Sequence, residues 1–111
     1  MVTAKTELFE AGLQEQANLF KALAHPARLQ ILRFLAESKS CISGDISDEL
    51  PLSRTTVNQH LKELKDAGLI KGHVEGTKMN YCLDGQKVKE MKSLLNGFLN
   101  EIQVPDEFSC Q

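Results

Sequence analysis

Between Ser53 and Lys62 the chain concentrates side chains suited to reading the edges of bases. On a helix, Arg54, Thr55, Asn58 and Gln59 crowd one side of the first turns. Val57, Leu61 and Leu64, spaced by four and three, make an apolar stripe on the other. Arg54 can donate twice to a guanine, and Asn58 or Gln59 can pair bidentately with an adenine. Ser53 and Thr56 suit a helix cap and phosphate contacts. His60 suits a phosphate contact or, equally, a buried or capping imidazole, and Lys62 follows along the helix. An ordinary solvated face would carry more Glu and Lys, which form helices better than Thr and Asn. The pattern points to a helix end that enters the major groove of duplex DNA. Thr77 and Lys78, at the tip of an expected hairpin, would reach the backbone or minor groove of the flanking DNA.

Charge supports this only locally. The net charge is -2, yet residues 54–78 hold five Lys and Arg against three Asp and Glu, while the segments before and after are acidic. Phosphate binding depends on local charge, and so small an excess implies weak binding by one copy and a need for two. The length of 111 residues gives one domain, and 41% hydrophobic with 25% charged residues fits a soluble globular chain. With five Phe, one Tyr and no Trp, a stacking platform for single strands is not expected. The N-terminus lacks the apolar run of an export signal and no stretch is apolar enough to span a bilayer, so a cytoplasmic protein without a membrane partner is expected. No Cys-x-x-Cys, no His spaced near a Cys and no nucleotide loop occurs, which argues against an enzyme. A module that docks on another protein is the alternative, against which the Thr, Asn and Gln content of the helix face speaks.

The elements that must hold these residues follow from periodicity and punctuation. A first helix is expected over 5–23, with Leu8, Phe9, Leu13, Ala17 and Phe20 on one side. Pro26 suits the first position of a second helix running to Glu37, with Leu29, Leu32, Phe34 and Leu35 inward. Cys41-Ile42 reads as a very short strand, and Ser43 as the cap of a third helix, Gly44 to Leu50. Pro51-Leu52 makes a turn and Ser53 caps the fourth helix, which Gly68 ends in the left-handed conformation. Leu69–Glu75 and Met79–Leu83 form two strands around the Gly76-Thr77-Lys78 tip. A last helix runs from Gly85 to Ile102 with Val88, Met91, Leu95, Phe98 and Ile102 in a stripe. The expected fold is mostly α with a small β-hairpin wing: a winged helix-turn-helix over residues 1–103, followed by a loose tail over 104–111.

Several motifs, in order, add a family likeness. Leu19-Phe20-Lys21-Ala22-Leu23-Ala24-His25-Pro26-Ala27-Arg28-Leu29-Gln30-Ile31-Leu32 resembles the opening of the ArsR-type (ArsR/SmtB) winged-helix repressors of bacteria. So do Thr56-Val57-Asn58-Gln59-His60-Leu61-Lys62-Glu63-Leu64 and Ala67-Gly68-Leu69-Ile70. Glu75-Gly76-Thr77-Lys78 and Tyr81-Cys82-Leu83 are similar to that family's wing. The likeness covers roughly residues 15–85 and implies a homodimer on a palindromic operator that represses transcription and lets go when an effector binds. The apolar stripes of the terminal helices, 5–23 and 85–102, fit a dimer: Leu8, Phe9, Leu13, Leu94, Leu95, Phe98 and Ile102 serve either a partner copy or the chain's own core.

The effector is not legible. Metal sensors of this family carry Cys-x-Cys around the strand and third helix, or Asp/His sets on the last helix. Here Cys41-Ile42-Ser43 offers one thiol of the first kind, and residues 85–102 contain no His. No cofactor is certain. Three Cys without an export signal are expected as thiols rather than as a disulfide framework. In a winged helix the short strand pairs with the second wing strand, which would bring Cys41 toward Cys82, while Cys110 lies on the tail. Inert packing, a soft ion such as arsenite held by thiolates, and an oxidative switch all remain open.

Overall fold

The computed structural model describes residues 7–38, 41–43 and 46–106. Helix α1 (Ala11–Leu23) starts later than its apolar spacing suggests, after a single turn at Glu7–Leu8. Glu10 is extended, with φ -57° and ψ 144°, and provides no side-chain cap. Instead Gln14 Nε2 donates to the Phe9 carbonyl at 2.7 Å, which fixes the helix start. Residues 5 and 6 of the expected helix lie outside the described residues.

Helix α2 (Pro26–Ser38) opens on proline as expected, and the His25 side chain caps it: Nδ1 accepts the Ala27 N–H at 3.0 Å. Its buried side is not quite the expected one. Ala27, Ile31 and Leu35, spaced by four, face inward, whereas Leu29 is 48% exposed. Leu32 and Phe34 are half-buried at the flanks. Five large apolar residues between 29 and 35 permit more than one stripe, and packing on α1 and on the helix that follows Ser53 selects this one.

The third helix reduces to one 3-10 turn, Ile46–Glu49; the expected start at Gly44 lies outside the described residues. Leu50 N–H donates to the Ser47 carbonyl at 3.2 Å, a bond of the tighter 3-10 spacing. Pro51 disfavours the α conformation for Leu50 and ends the turn there. Ile46 and Leu50 are buried nonetheless.

Helix α3 (Arg54–Asp66) follows, with Ser53 Oγ accepting the Thr56 N–H at 3.3 Å as N-cap. Its C-terminus is a Schellman motif. Gly68 sits at φ 82°, its N–H donates to the Lys65 carbonyl at 2.9 Å, and the Leu69 N–H reaches the Leu64 carbonyl at 3.1 Å. Leu64 and Leu69 are both fully buried, which supplies the motif's apolar contact.

Strands β2 (Ile70–Glu75) and β3 (Lys78–Leu83) form the hairpin, with Glu75 opposite Lys78 and a two-residue turn at Gly76-Thr77. Gly76 takes φ 67°, the positive value such turns require at the first central position. Lys78 therefore belongs to the strand rather than to the turn. Strand β1 (Ile42–Ser43) pairs antiparallel with β3, giving the order β1-β3-β2. Helix α4 (Gly85–Glu101) closes the chain, with Asp84 capping the Lys87 N–H at 3.2 Å.

The core gathers Leu19, Ile31, Leu35, Ile46, Leu50, Val57, Leu61, Leu64, Leu69 and Ile70, drawn from α1, α2, the 3-10 turn, α3 and β2. Each such side chain contributes about 1.5–3 kcal/mol by leaving water. Helix α4 buries none of its residues fully; Met91, Leu94 and Leu95 rest on the core's edge. The arrangement is a winged helix-turn-helix with a helix added at either end.

Candidate nucleic-acid interface

Helix α3 is divided as its sequence pattern requires. Val57, Leu61 and Leu64 are buried at 0%, 3% and 0% exposure, which anchors the helix rigidly in the core. Arg54, Thr55, Asn58, Gln59 and Lys62 are all exposed on the opposite side. Across from them stands the hairpin. Arg54 and Asn58 of α3, with Thr77, Lys78, Met79 and Tyr81 of the wing, line one open cleft of about 540 Å³ whose floor is Ile46 and Leu61. Donors from two elements that are far apart in sequence thus converge on one concave surface.

A glycine leaves room for one of the wing's side chains. Gly72 lies directly opposite Tyr81, and a Cβ there would stand 3.0 Å from Tyr81 Cε1, so a larger residue would press on the ring where it lies across β2. Burial raises the Tyr81 phenol above its ordinary value of 10.0, which keeps it a neutral hydroxyl.

Ser53 and Thr56 are engaged with each other: Ser53 Oγ donates to Thr56 Oγ1 at 3.0 Å while accepting the Thr56 N–H. Both remain exposed at the helix N-terminus, where unpaired N–H groups and the dipole favour a phosphate. Lys62 pairs along the helix with Asp66 at 2.9 Å, and this hydrogen bond raises its pKa. Its charge is therefore partly answered within the chain, unlike the arrangement expected of a dedicated phosphate contact.

His60 sits elsewhere than on the DNA-facing side. It is 8% exposed, on the inner side of α3 between Val57 and Leu64. Its Nδ1 accepts from Arg28 Nε at 3.1 Å, and its ring packs against His25 with centroids 4.1 Å apart. Burial lowers its pKa, and the neighbouring His25 and Arg28 lower it further, with Glu63 opposing. The acceptor geometry agrees, because a protonated Nδ1 would point a hydrogen at the Arg28 donor. The same guanidinium donates through Nη1 to the Lys21 and Ala22 carbonyls at 3.2 Å each. One arginine thus joins the C-terminal end of α1 to the recognition helix. Sequence reading missed Arg28; the available signal was His60 falling three residues after Val57, on the apolar stripe.

The cysteines also differ from the expectation of thiols. Cys41 and Cys82 are joined by a disulfide, with Cα atoms 4.3 Å apart. The reason is register: with Ile42 opposite Tyr81 and Ser43 opposite Asn80, the next pair in the ladder is Cys41 and Cys82. Cys110 lies outside the described residues. Among the described residues no group of three or more His, Cys, Asp or Glu stands close enough to hold a metal ion. No helix among them is long and apolar enough to cross a membrane.

The terminal helices leave an apolar surface. Leu8, Phe9, Leu13 and Ile102 are 83%, 62%, 45% and 54% exposed. Phe9, Leu13, Ala17, Phe20 and Phe98 line a groove of about 400 Å³, with Phe20 and Phe98 edge to face at 5.3 Å. Leu94 and Leu95, for which either a partner copy or the chain's own core was expected, rest partly on that core.

Comparison with known proteins agrees with this geometry. The family model described as "Bacterial regulatory protein, arsR family" matches residues 25–71, from the cap of α2 into β2. An uncharacterised helix-turn-helix transcriptional regulator of Methanocaldococcus jannaschii is 40% identical over 83 residues, which cover 75% of this chain and 93% of that one. The transcriptional repressor PagR of Bacillus anthracis is 33% identical over 85 residues, covering 77% and 85%. The solved structure of HlyU from Vibrio cholerae superimposes with a TM-score of 0.64 at 34% identity, covering 81% of this chain and 97% of its own. A chain with this helix, this wing and these relatives belongs to the arsR family of bacterial regulatory proteins, and is a DNA-binding regulator of transcription rather than an enzyme.

Proposed function

We propose that the protein is a homodimeric, cytoplasmic repressor that binds a palindromic operator and is released by an effector acting at its cysteines. The observation that carries DNA reading is the shared cleft in which Arg54 and Asn58 face Thr77 and Lys78. Arg54, Thr55, Asn58 and Gln59 read bases, the Ser53–Thr56 cap meets a phosphate, and the wing's Thr77 and Lys78 hold the flanking backbone. The apolar surface of α1 and α4 supports pairing, since Phe9, Leu13 and Ile102 stand in water in a single copy. Two-fold pairing places the recognition helices about 34 Å apart, one turn of the duplex, and doubles a modest positive surface. Repression accords with the function named for the Bacillus anthracis relative. Release through the cysteines is supported by the Cys41–Cys82 bond, which ties the second wing strand to the residue before β1.

The test is a fluorescence-anisotropy titration of the protein against its own promoter duplex and a scrambled duplex at several salt concentrations. The expected result is preference for the promoter and a steep loss of affinity with salt, the mark of released counterions. Equal affinity for both duplexes, or none for either, contradicts the reading and favours a protein-docking module.

A further inference from the structure

The disulfide occupies a position in the fold that inert packing does not require. Strand β1 is only two residues long and is held to β3 by the Ile42–Tyr81 and Ser43–Asn80 pairs. Cys41 and Cys82 extend this ladder by one rung, and their 4.3 Å Cα separation is close to the roughly 4.5 Å of a non-hydrogen-bonded antiparallel pair. Opening the bond therefore leaves a two-rung ladder held by its backbone pairs and by Ile42 at the edge of the core. Two rungs from the bond, opposite Ser43, Asn80 is buried, its Nδ2 donates to Glu75, and its Oδ1 has no hydrogen-bond partner. The two cysteines are 41 residues apart, and the chain between them contains α3, β2 and the hairpin tip. Every candidate DNA contact thus lies inside the ring that the bond closes. The two sulfurs are also unequal, because Cys41 is exposed and Cys82 half-buried.

We infer that Cys41–Cys82 is a reversible redox-modification site, opened by low-molecular-weight thiols or a dithiol protein and closed by a hydroperoxide, and that the closed form binds DNA more tightly. This rests on the DNA-binding reading above and names the chemistry of its regulation. In the closed form the wing is tied to the segment leading into the helix-turn-helix, so Lys78 and Arg54 keep their relative places before DNA arrives. In the open form β1 frays, and the wing must be ordered during binding at a cost to affinity. Disulfides in reducing compartments are mostly transient and of this sensing kind.

Opening begins when an external thiolate attacks the exposed sulfur of Cys41. The S–S bond breaks, Cys82 leaves as a thiolate and takes a proton from water. A second thiolate attacks the external sulfur of the mixed disulfide and frees Cys41. Two thiols are oxidised to one disulfide as the protein bridge is reduced to two thiols. Closing runs through attack of the Cys41 thiolate on a hydroperoxide oxygen, giving a sulfenic acid and an alcohol after proton uptake. Cys82 then displaces the sulfenic oxygen as water and restores the bond.

The experiment compares the full-length wild type after peroxide treatment and after dithiothreitol, each desalted and thiol-counted, for affinity to its promoter duplex by anisotropy. The expected result is a closed form about tenfold tighter than the open form, with Cys41→Ser and Cys82→Ser both binding like the open form and ignoring peroxide. Equal affinity of the two wild-type forms, with salt dependence intact, overturns the redox inference and leaves the DNA-binding reading standing. A thiol count that dithiothreitol does not change overturns it also. Binding in neither form removes both readings together.

Discussion

Lys78 provides the sharpest quantitative expectation. It is exposed at the start of β3, opposite Glu75 and beside the two-residue turn, where it faces the recognition helix across the cleft. A phosphate contact there adds about 0.9 to the steepness with which log affinity falls against log salt. A two-fold assembly carries two copies, so Lys78→Ala should flatten that slope by about 1.8. Between about 50 mM and about 200 mM salt, the ratio of wild-type to variant affinity should then shrink about twelvefold, a fourfold salt change raised to the power 1.8. Promoter and scrambled duplexes should lose affinity alike, because a backbone contact carries no sequence information. The assay is the anisotropy titration at four or more salt concentrations. A variant whose affinity falls while its slope stays that of the wild type would refute the phosphate role and leave Lys78 a merely structural or solvating residue.

Other consequences follow from the same geometry. Arg54→Ala should weaken promoter binding by about 1–3 kcal/mol and relax preference at one base pair per half-site, as read by titrating single-substitution duplexes; unchanged discrimination removes Arg54 from the reading face. Leu64→Ala empties a fully buried site beneath α3 and should cost about 2–5 kcal/mol in urea unfolding, against under about 1 kcal/mol were the residue merely peripheral. His60 is held below the ordinary 6.5 in the fold, so below about 6.5 the unfolded chain binds the extra proton and the folded chain does not. Its contribution to stability should be complete above that pH and be lost as pH falls toward the depressed folded value. Urea midpoints compared at about pH 8 and about pH 5.5 should show a larger drop for the wild type than for His60→Gln, and equal drops would contradict the buried neutral imidazole.

The recognition helix and hairpin are legible in the sequence because independent signals coincide there. Ser53 marks the cap, Val57-Leu61-Leu64 the buried stripe, Gly68 the helix end and Gly76 the turn, and each signal acts over a few residues. The α2 face was harder, since Leu29, Ile31, Leu32, Phe34 and Leu35 allow competing stripes and only packing against neighbours decides. The 3-10 turn at Ile46–Glu49 ends where it does because Pro51 acts on the residue before it. Arg28 gave no local sign of its role: its partners lie on α1 and α3, and long-range polar contacts have no period. Cys41 and Cys82 were placed as neighbours by topology, yet direct opposition depends on a strand register that two residues of β1 alone define. On α4, Leu94 and Leu95 share the apolar stripe with Phe98, and sequence spacing does not separate core contact from exposed surface.

Hydroxyl-radical footprinting of the protein on its own promoter tests the central claim most directly. Two copies using α3 and the wing should protect two patches centred about 34 Å apart, related by a dyad, with further protection outside each where Lys78 meets the backbone. A uniform ladder, or a single patch without its symmetry mate, would contradict paired recognition of a duplex by this chain.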